Sequence, residues 1–291
     1  MINTKIEYCD STVNPTRGCL GCELWNPRTG GLCFAAGIHT RYQGTPGYPR
    51  PFAEPEPVPG RMNKAARWSD LAPGRMNKAA RWSDLAGHLG HLREAKPWLD
   101  GRPRVVFIGD LTDTLCEPIP FDYLETEILD QVDSPHGRRH RWLWFSKRPH
   151  RMAQFYAWAE ARGRTMPPNL IPATSATDAQ TLARRLVDLY QIPARLRILS
   201  LEPLLGPVDL REHLADIDRG RLWVIAGGAS GTQAKPTPPD WFRAVRDDCE
   251  ALHIPFFFKQ WGQCNEAGAR VGKAFSGRTL DGRQHNDVPE L

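Results

Sequence analysis

From Pro103 onward the chain alternates short, almost wholly apolar runs with longer stretches in which apolar residues return every three or four positions. The runs occupy 104–108, 142–145, 170–173, 196–199, 222–226 and 255–258. Bounded by turn-forming residues, runs of this length read as strands buried on both faces. The intervening segments 121–132, 150–162, 178–190, 210–217 and 239–252 carry helical periodicity. A further strand is predicted at 4–8, where Ile6 and Tyr8 alternate with polar neighbours, and a helix at 34–42. Strands alternating with helices mean parallel βα units, so the predicted class is α/β, seven parallel strands forming a partial (β/α) barrel. A doubly wound sheet is the alternative.

Each predicted strand runs out into polar or glycine residues. In chain order these are Gly109-Asp110 with Asp113, Ser146-Lys147-Arg148, Thr174-Ser175, Ser200 with Glu202, Gly227-Gly228 with Ser230, and Lys259-Gln260-Trp261. Parallel α/β proteins bind ligands at the carboxyl edge of the sheet, so six such ends are expected to meet at one site. Gly109, Asp110, Asp113, Ser175, Glu202, Gly227 and Gly228 are candidate cofactor contacts; Lys147, Glu202 and Lys259 are candidate catalytic groups. Lys147 and Arg148 suit a carboxylate or phosphate. The ordinary alternatives are a buried Lys147–Glu202 ion pair and helix caps at Asp110 and Asp113.

Before these units lies a loop with three of the seven cysteines, Cys19, Cys22 and Cys33, among Gly18, Gly21, Gly30 and Gly31. Three thiols in a turn-rich loop suit zinc or an iron–sulfur cluster better than a disulfide framework. A closed zinc site asks for a fourth ligand, for which Cys9 and His39 are available; a cluster on three thiolates leaves one iron open. Cys116, Cys249 and Cys264 read as packing residues. Residues 44–60, rich in Pro and Gly, read as an exposed connection. The 14-residue segment 59–72, PGRMNKAARWSDLA, then recurs unchanged as 73–86. Each copy resembles a turn and a short amphipathic helix, and the pair reads as a tandem duplication whose second copy loops out at the surface. The organisation expected is one domain over 1–263, with an irregular insertion at 44–100, and a tail at 264–291.

Composition narrows the function classes. Hydrophobic content of 41% and charged content of 24% over 291 residues are those of a globular protein with a full core. No apolar run approaches the ~20 residues of a membrane span, and the start has no signal-peptide core. A cytoplasmic protein with reduced thiols and no membrane partner is therefore expected. The net charge of +5 and ten tryptophans permit a polyanionic partner.

The blocks IEYCDSTVNPTRGC, CFAAGIHTRY, VFIGDLTDTL, FSKRPHRM, LSLEPLLGPVDL, VIAGGASG and PFFFKQWG, in this order, resemble the phage-associated three-Cys-motif family, also called the phage gp thirty-seven / gp sixty-eight family. That family in turn resembles radical S-adenosylmethionine (SAM) proteins, whose partial barrels hold a 4Fe-4S cluster on three cysteines after the first strand. The resemblance implies a radical-SAM-type partial barrel in which Cys19, Cys22 and Cys33 ligate the cluster and SAM binds its open iron. It further implies cleavage of SAM to a 5'-deoxyadenosyl radical after reduction by an external one-electron donor, and a family partner protein. The cluster loop, the strand-end site, the basic balance and the phage association suggest a nucleic acid or nucleotide as substrate. Gly109-Asp110 would meet the SAM amino group, and Glu202 and Gly227-Gly228 its ribose and adenine. The spacing departs from the familiar one: two and ten residues separate the cysteines here, against three and two. A non-catalytic, metal-stabilised nucleic-acid-binding module and a cluster enzyme acting on a protein or small metabolite are the alternatives.

Overall fold

The computed structural model describes residues 4, 6–68, 103–214, 222–231 and 233–289. Seven strands form one sheet: β1 (Ser11–Val13), β6 (Val105–Ile108), β7 (Arg141–Ser146), β8 (Leu170–Ser175), β9 (Arg197–Leu201), β10 (Leu222–Gly227) and β11 (Phe256–Gln260). All neighbours are parallel and the spatial order is the chain order. A doubly wound sheet reverses its order at a switch point. No reversal occurs here, so right-handed crossovers put the helices on one side and the sheet curls around its other side as a half-barrel.

Side-chain parity within each strand separates the two sides. Val106, Ile108, Trp142, Trp144, Leu199, Leu201, Val224, Ala226, Phe256 and Phe258 point outward into cores shared with the helices. Phe107, Leu143, Phe145, Ile171, Ala173, Ile198, Trp223, Ile225 and Phe257 point inward and form a third core. The outer layer is built by α3 (Phe121–Leu124), a π-helical turn (Glu125–Leu129), α4 (Asp130–Asp133), α5 (Pro149–Ala161), α6 (Ala179–Tyr190), α7 (Leu210–Leu214) and α8 (Pro239–Ala251). Pro149 opens α5 in the first turn, where a missing N–H costs nothing. Asp178 and Thr181 cap α6 reciprocally. Among the described residues no helix is long and apolar enough to cross a membrane.

The predicted strand at 4–8 is corrected. The first strand is β1, and the chain turns at Glu7-Tyr8 before it. The alternation of Ile6 and Tyr8 reflects a different burial: Tyr8 enters the half-barrel, its ring centroid 6.0–6.3 Å from those of Phe107, Phe145, Trp223 and Phe257. The tail beyond 263 runs along the sheet with most of its residues exposed. Its backbone covers the free edge of β11 (Phe258 N to His285 O 2.9 Å, Asp287 N to Phe256 O 3.2 Å), and the indole of Trp223 donates to Asp287 O at 2.9 Å. Leu280 is fully buried.

The connection at 44–60 is mostly exposed, as its composition implies, and is tied down at two points. Its β5 (Glu56–Pro57) pairs antiparallel with β2 (Thr16–Arg17), and Phe52 is buried. It leads into α2 (Arg61–Ala66), the helix of the first repeat copy, whose Met62, Ala65 and Ala66 are buried in the outer core. The second copy, 73–86, lies outside the described residues. Two short strands, β3 (Trp25–Asn26) and β4 (Gly30–Gly31), form a hairpin within the cysteine loop, and α1 (Phe34–Tyr42) follows it at the predicted bounds.

Candidate functional site

A cavity of about 340 Å³ opens at the carboxyl ends of the strands. Its walls take Gly109, Asp110, Asp113, Lys147, Ser175, Glu202, Gly228 and Lys259 from the predicted strand ends, and Cys19, Cys22 and Cys33 from the loop. Tyr8, Phe107 and Phe145 give it an apolar floor, and Phe34 and Phe52 stand on the loop side. Parity explains the convergence: positions 107 and 109, 143 to 147, 171 to 175, 198 to 202 and 257 to 259 continue the inward-facing series into the ends of β8 and β11 and one residue past β6, β7 and β9.

On the inner face Glu202 gathers three donors. Lys259 Nζ lies 2.8 Å from its Oε1, while Ser200 Oγ at 3.0 Å and Tyr8 Oη at 3.5 Å reach its Oε2. The ion pair therefore joins Glu202 to Lys259, and the Lys147–Glu202 pair of the sequence reading does not form. Lys147 turns instead toward Glu23 of the cysteine loop at 3.9 Å. Burial alone would lower the Lys259 pKa, but the Glu202 carboxylate outweighs it and the net shift is upward. Burial, reinforced by Glu202, pushes the Tyr8 phenol far above its ordinary value. Gly227 is not among the lining residues; a Cβ there would stand 2.8 Å from Glu202 Oε1, so its place is to leave room for that carboxylate. A Cβ at Gly228 would stand 1.9 Å from Trp261 O, where the ends of β10 and β11 cross.

The aspartates differ. Asp113 lines the cavity, but Oδ1 accepts from Leu115 N and Ser146 Oγ, and Oδ2 accepts from Lys147 N and the Arg148 guanidinium, all between 2.8 and 3.0 Å. It acts as a positioner of the β7 exit. Asp110 accepts from Asn14 Nδ2 at 2.6 Å, and burial raises its pKa.

Two arginines hold the cysteine loop onto the barrel. Arg148 donates to Gly21 O at 3.0 Å and approaches Cys19 Sγ at 3.9 Å while paired with Asp113. Arg185 of α6 grips Glu23 through both oxygens at 2.8 and 2.6 Å and donates to Ser175 O. Burial works against ionised Glu23, but Arg185 and Lys147 bring its pKa down to about 2. Neither Glu23 nor Arg185 was marked in the sequence; Glu23 beside Cys22 was the available signal. Gly18 has φ 75°, and a Cβ there would meet Phe52 O at 2.8 Å, the carbonyl that also receives Cys19 N at 2.7 Å.

Each thiol of the loop accepts a backbone N–H: Cys19 from Gly21 at 3.5 Å, Cys22 from Leu24 at 3.4 Å, and Cys33, the N-cap of α1, from Ala36 at 3.5 Å. The buried Cys116 thiol donates to Cys19 and draws its pKa down, whereas burial pushes Cys22 up to about 11 and Cys33 upward. Lys147 opposes the rise at both of these, and Arg148 favours the Cys19 thiolate. Among the described residues, no group of three or more His, Cys, Asp or Glu side chains is drawn together tightly enough to hold a metal ion as it stands. Neither fourth-ligand candidate lines the cavity. His39 is buried with Nε2 2.7 Å from Arg50 O, against Tyr48 and Phe52, and Cys9 is not among the lining residues.

Against known proteins, a family model described as "Protein of unknown function (DUF5131)" matches residues 3–289. No curated protein and no solved structure matches the chain.

Proposed function

The chain belongs to the DUF5131 family, whose function is unknown, and from that premise we propose that it is an iron–sulfur enzyme of the radical-SAM type that modifies a nucleic acid or nucleotide. The observation that carries the reading is the meeting of two sequence-distant sets in one cavity: three thiols from the loop after the first sheet strand, and the polar ends of the later strands.

Cys19, Cys22 and Cys33 would hold a 4Fe-4S cluster. A mononuclear zinc site asks for four donors around one point. A cluster takes its thiolates on separate irons, so it asks for sulfurs around a small volume. Three thiols on the wall of one cavity fit the second demand. Their backbone N–H donors are the kind of contact that tunes a cluster's potential, and Lys147 and Arg148 offset part of the burial that works against the thiolate form needed for ligation. With one electron from an external reductant, a cluster and SAM held there would supply the radical chemistry that removes a hydrogen atom from the substrate.

The remaining groups bind and orient. Asp110 offers a carboxylate to an amino group, and Ser175 at the end of β8 and Ser230 beyond β10 offer hydroxyls. The paired Glu202 and Lys259 give the apolar floor one fixed polar contact, with little net charge exposed to the cavity. Lys147, Arg148 and Lys273 also line the cavity, and with the net charge of +5 they favour a phosphate-bearing substrate. A cytoplasmic setting, where thiols stay reduced, suits such a cluster.

The test is anaerobic incubation with dithionite and SAM, followed by chromatography for 5'-deoxyadenosine. The product is expected with the parent protein and with Cys249→Ala, and is lost in Cys19→Ala, Cys22→Ala and Cys33→Ala. Protein with a full complement of iron that yields no 5'-deoxyadenosine would refute SAM cleavage.

A further inference from the structure

The groove that receives α2 reads six residues of the first repeat copy in detail. Glu127, turned inward by the π-helical turn, accepts from Gly60 N and Met62 N at 2.8 Å each. His140 Nδ1 accepts from Arg104 N at 3.1 Å, which leaves the proton on Nε2 to donate to Ala66 O at 3.0 Å. Arg61 donates to Asn14 O at 2.8 Å and Asn63 to Gln131 Oε1 at 3.1 Å. Met62, Ala65 and Ala66 fill the outer core beside Leu124, Ile128 and Val132.

Each of these residues recurs 14 positions later, because 59–72 and 73–86 are identical: Gly74, Arg75, Met76, Asn77, Ala79 and Ala80 stand for Gly60, Arg61, Met62, Asn63, Ala65 and Ala66. We propose that the groove is a docking surface with two interchangeable occupants from the same chain, residues 60–66 and residues 74–80. No contact within the groove distinguishes the two. Chain length does. The first copy follows closely on β5, which ends at Pro57; docking the second copy lengthens that connection by 14 residues and shortens the one to β6 by as many. Closure probability falls as loop length to the power of about −3/2, which favours the first copy by roughly tenfold. The second copy thus occupies the groove in about one molecule in ten. A copy from another molecule competes poorly, since a tethered segment acts at an effective concentration in the mM range. The duplication is then a spare ligand that buffers the groove against damage to its first occupant. This inference does not rest on the cofactor chemistry above.

Met62→Asp tests it, read by urea unfolding and by hydrogen exchange with mass spectrometry. In the full chain the folding equilibrium is expected to fall by only about tenfold, because the second copy replaces the first. In a chain lacking 73–86 the same substitution leaves a buried charge without an alternative and is expected to cost about a thousandfold or more, or to abolish folding. Met76→Asp alone is expected to leave stability unchanged, and deletion of 73–86 alone to give a chain that folds as the parent does. In full-length Met62→Asp protein, amides of 74–80 should become protected from exchange. The proposal is overturned if Met62→Asp is as damaging with 73–86 present as without it, or if 74–80 in that variant exchanges as freely as an unfolded chain.

Discussion

Replacing Lys259 by methionine removes the only cation bonded to Glu202 among the described residues, at the floor of the cavity. The Nζ to Oε1 distance of 2.8 Å corresponds to about 6 kcal/mol of attraction at an effective dielectric constant of about 20. Desolvation cancels much of this for side chains only 14% and 12% exposed. Breaking such a pair from one side costs about 3–5 kcal/mol. Glu202 keeps Ser200 and Tyr8 as donors, which places Lys259→Met near the lower figure. For 291 residues the unfolding entropy near the midpoint is about 0.6 kcal/mol/K, so Tm should fall by about 5 °C. Glu202→Gln should lose a similar amount, and Lys259→Met/Glu202→Gln less than the two together, with a coupling of about 2–3 kcal/mol. The pH dependence has a definite sign. The Lys259 pKa is raised in the folded protein, so its contribution is complete below the unfolded-state value of about 10.4 and fades as pH climbs through the folded one. The difference between parent and Lys259→Met should therefore shrink above about pH 10. Urea melts of the four proteins from pH 6 to 11 measure both effects. Additive single variants, or a penalty under about 1 kcal/mol at neutral pH, would refute the buried-pair reasoning.

Glu23→Gln should loosen the cysteine loop. It leaves Arg185, 4% exposed, without its counter-ion, and a loss of about 2–3 kcal/mol with faster protease cleavage between residues 19 and 33 is expected, read by limited proteolysis. Gly228→Ala should fail to fold or lose more than about 4 kcal/mol, since its Cβ would sit 1.9 Å from Trp261 O. Gly37→Ala in α1, with no atom within 4 Å of the added methyl, should be neutral or gain about 0.5–1 kcal/mol in thermal melts. Cys116→Ser should keep bound iron, whereas Cys19→Ser should lose it, as judged by elemental analysis.

Much of this site is readable from residue order alone. The apolar runs after Pro103 are dense enough to identify six of the seven strands, and their polar ends, including Lys147, Ser175, Glu202 and Lys259, reach one cavity because parity carries the inward face to the end of each strand or one residue beyond it. Partner choice was not readable. Glu202 had two lysines at strand ends to pair with, and only the curl of the sheet brings Lys259 of β11, rather than Lys147, against it. Tyr8 misled for a related reason: its alternation with Ile6 is real, but the ring plugs the half-barrel instead of extending a strand. The supports of the cysteine loop, Arg185 and Phe52, lie 162 residues from Glu23 and in a proline-rich connection, where local composition carries no trace of long-range contact. Glu127, whose inward turn depends on a local π-helical geometry, was invisible for the same reason.

The most direct measurement of the central claim is the content of iron, zinc and acid-labile sulfide in protein purified without oxygen, with electron paramagnetic resonance after reduction. The account predicts about four irons and four sulfides per chain and a reduced-cluster signal that changes when SAM is added. One zinc per chain with no labile sulfide would contradict it.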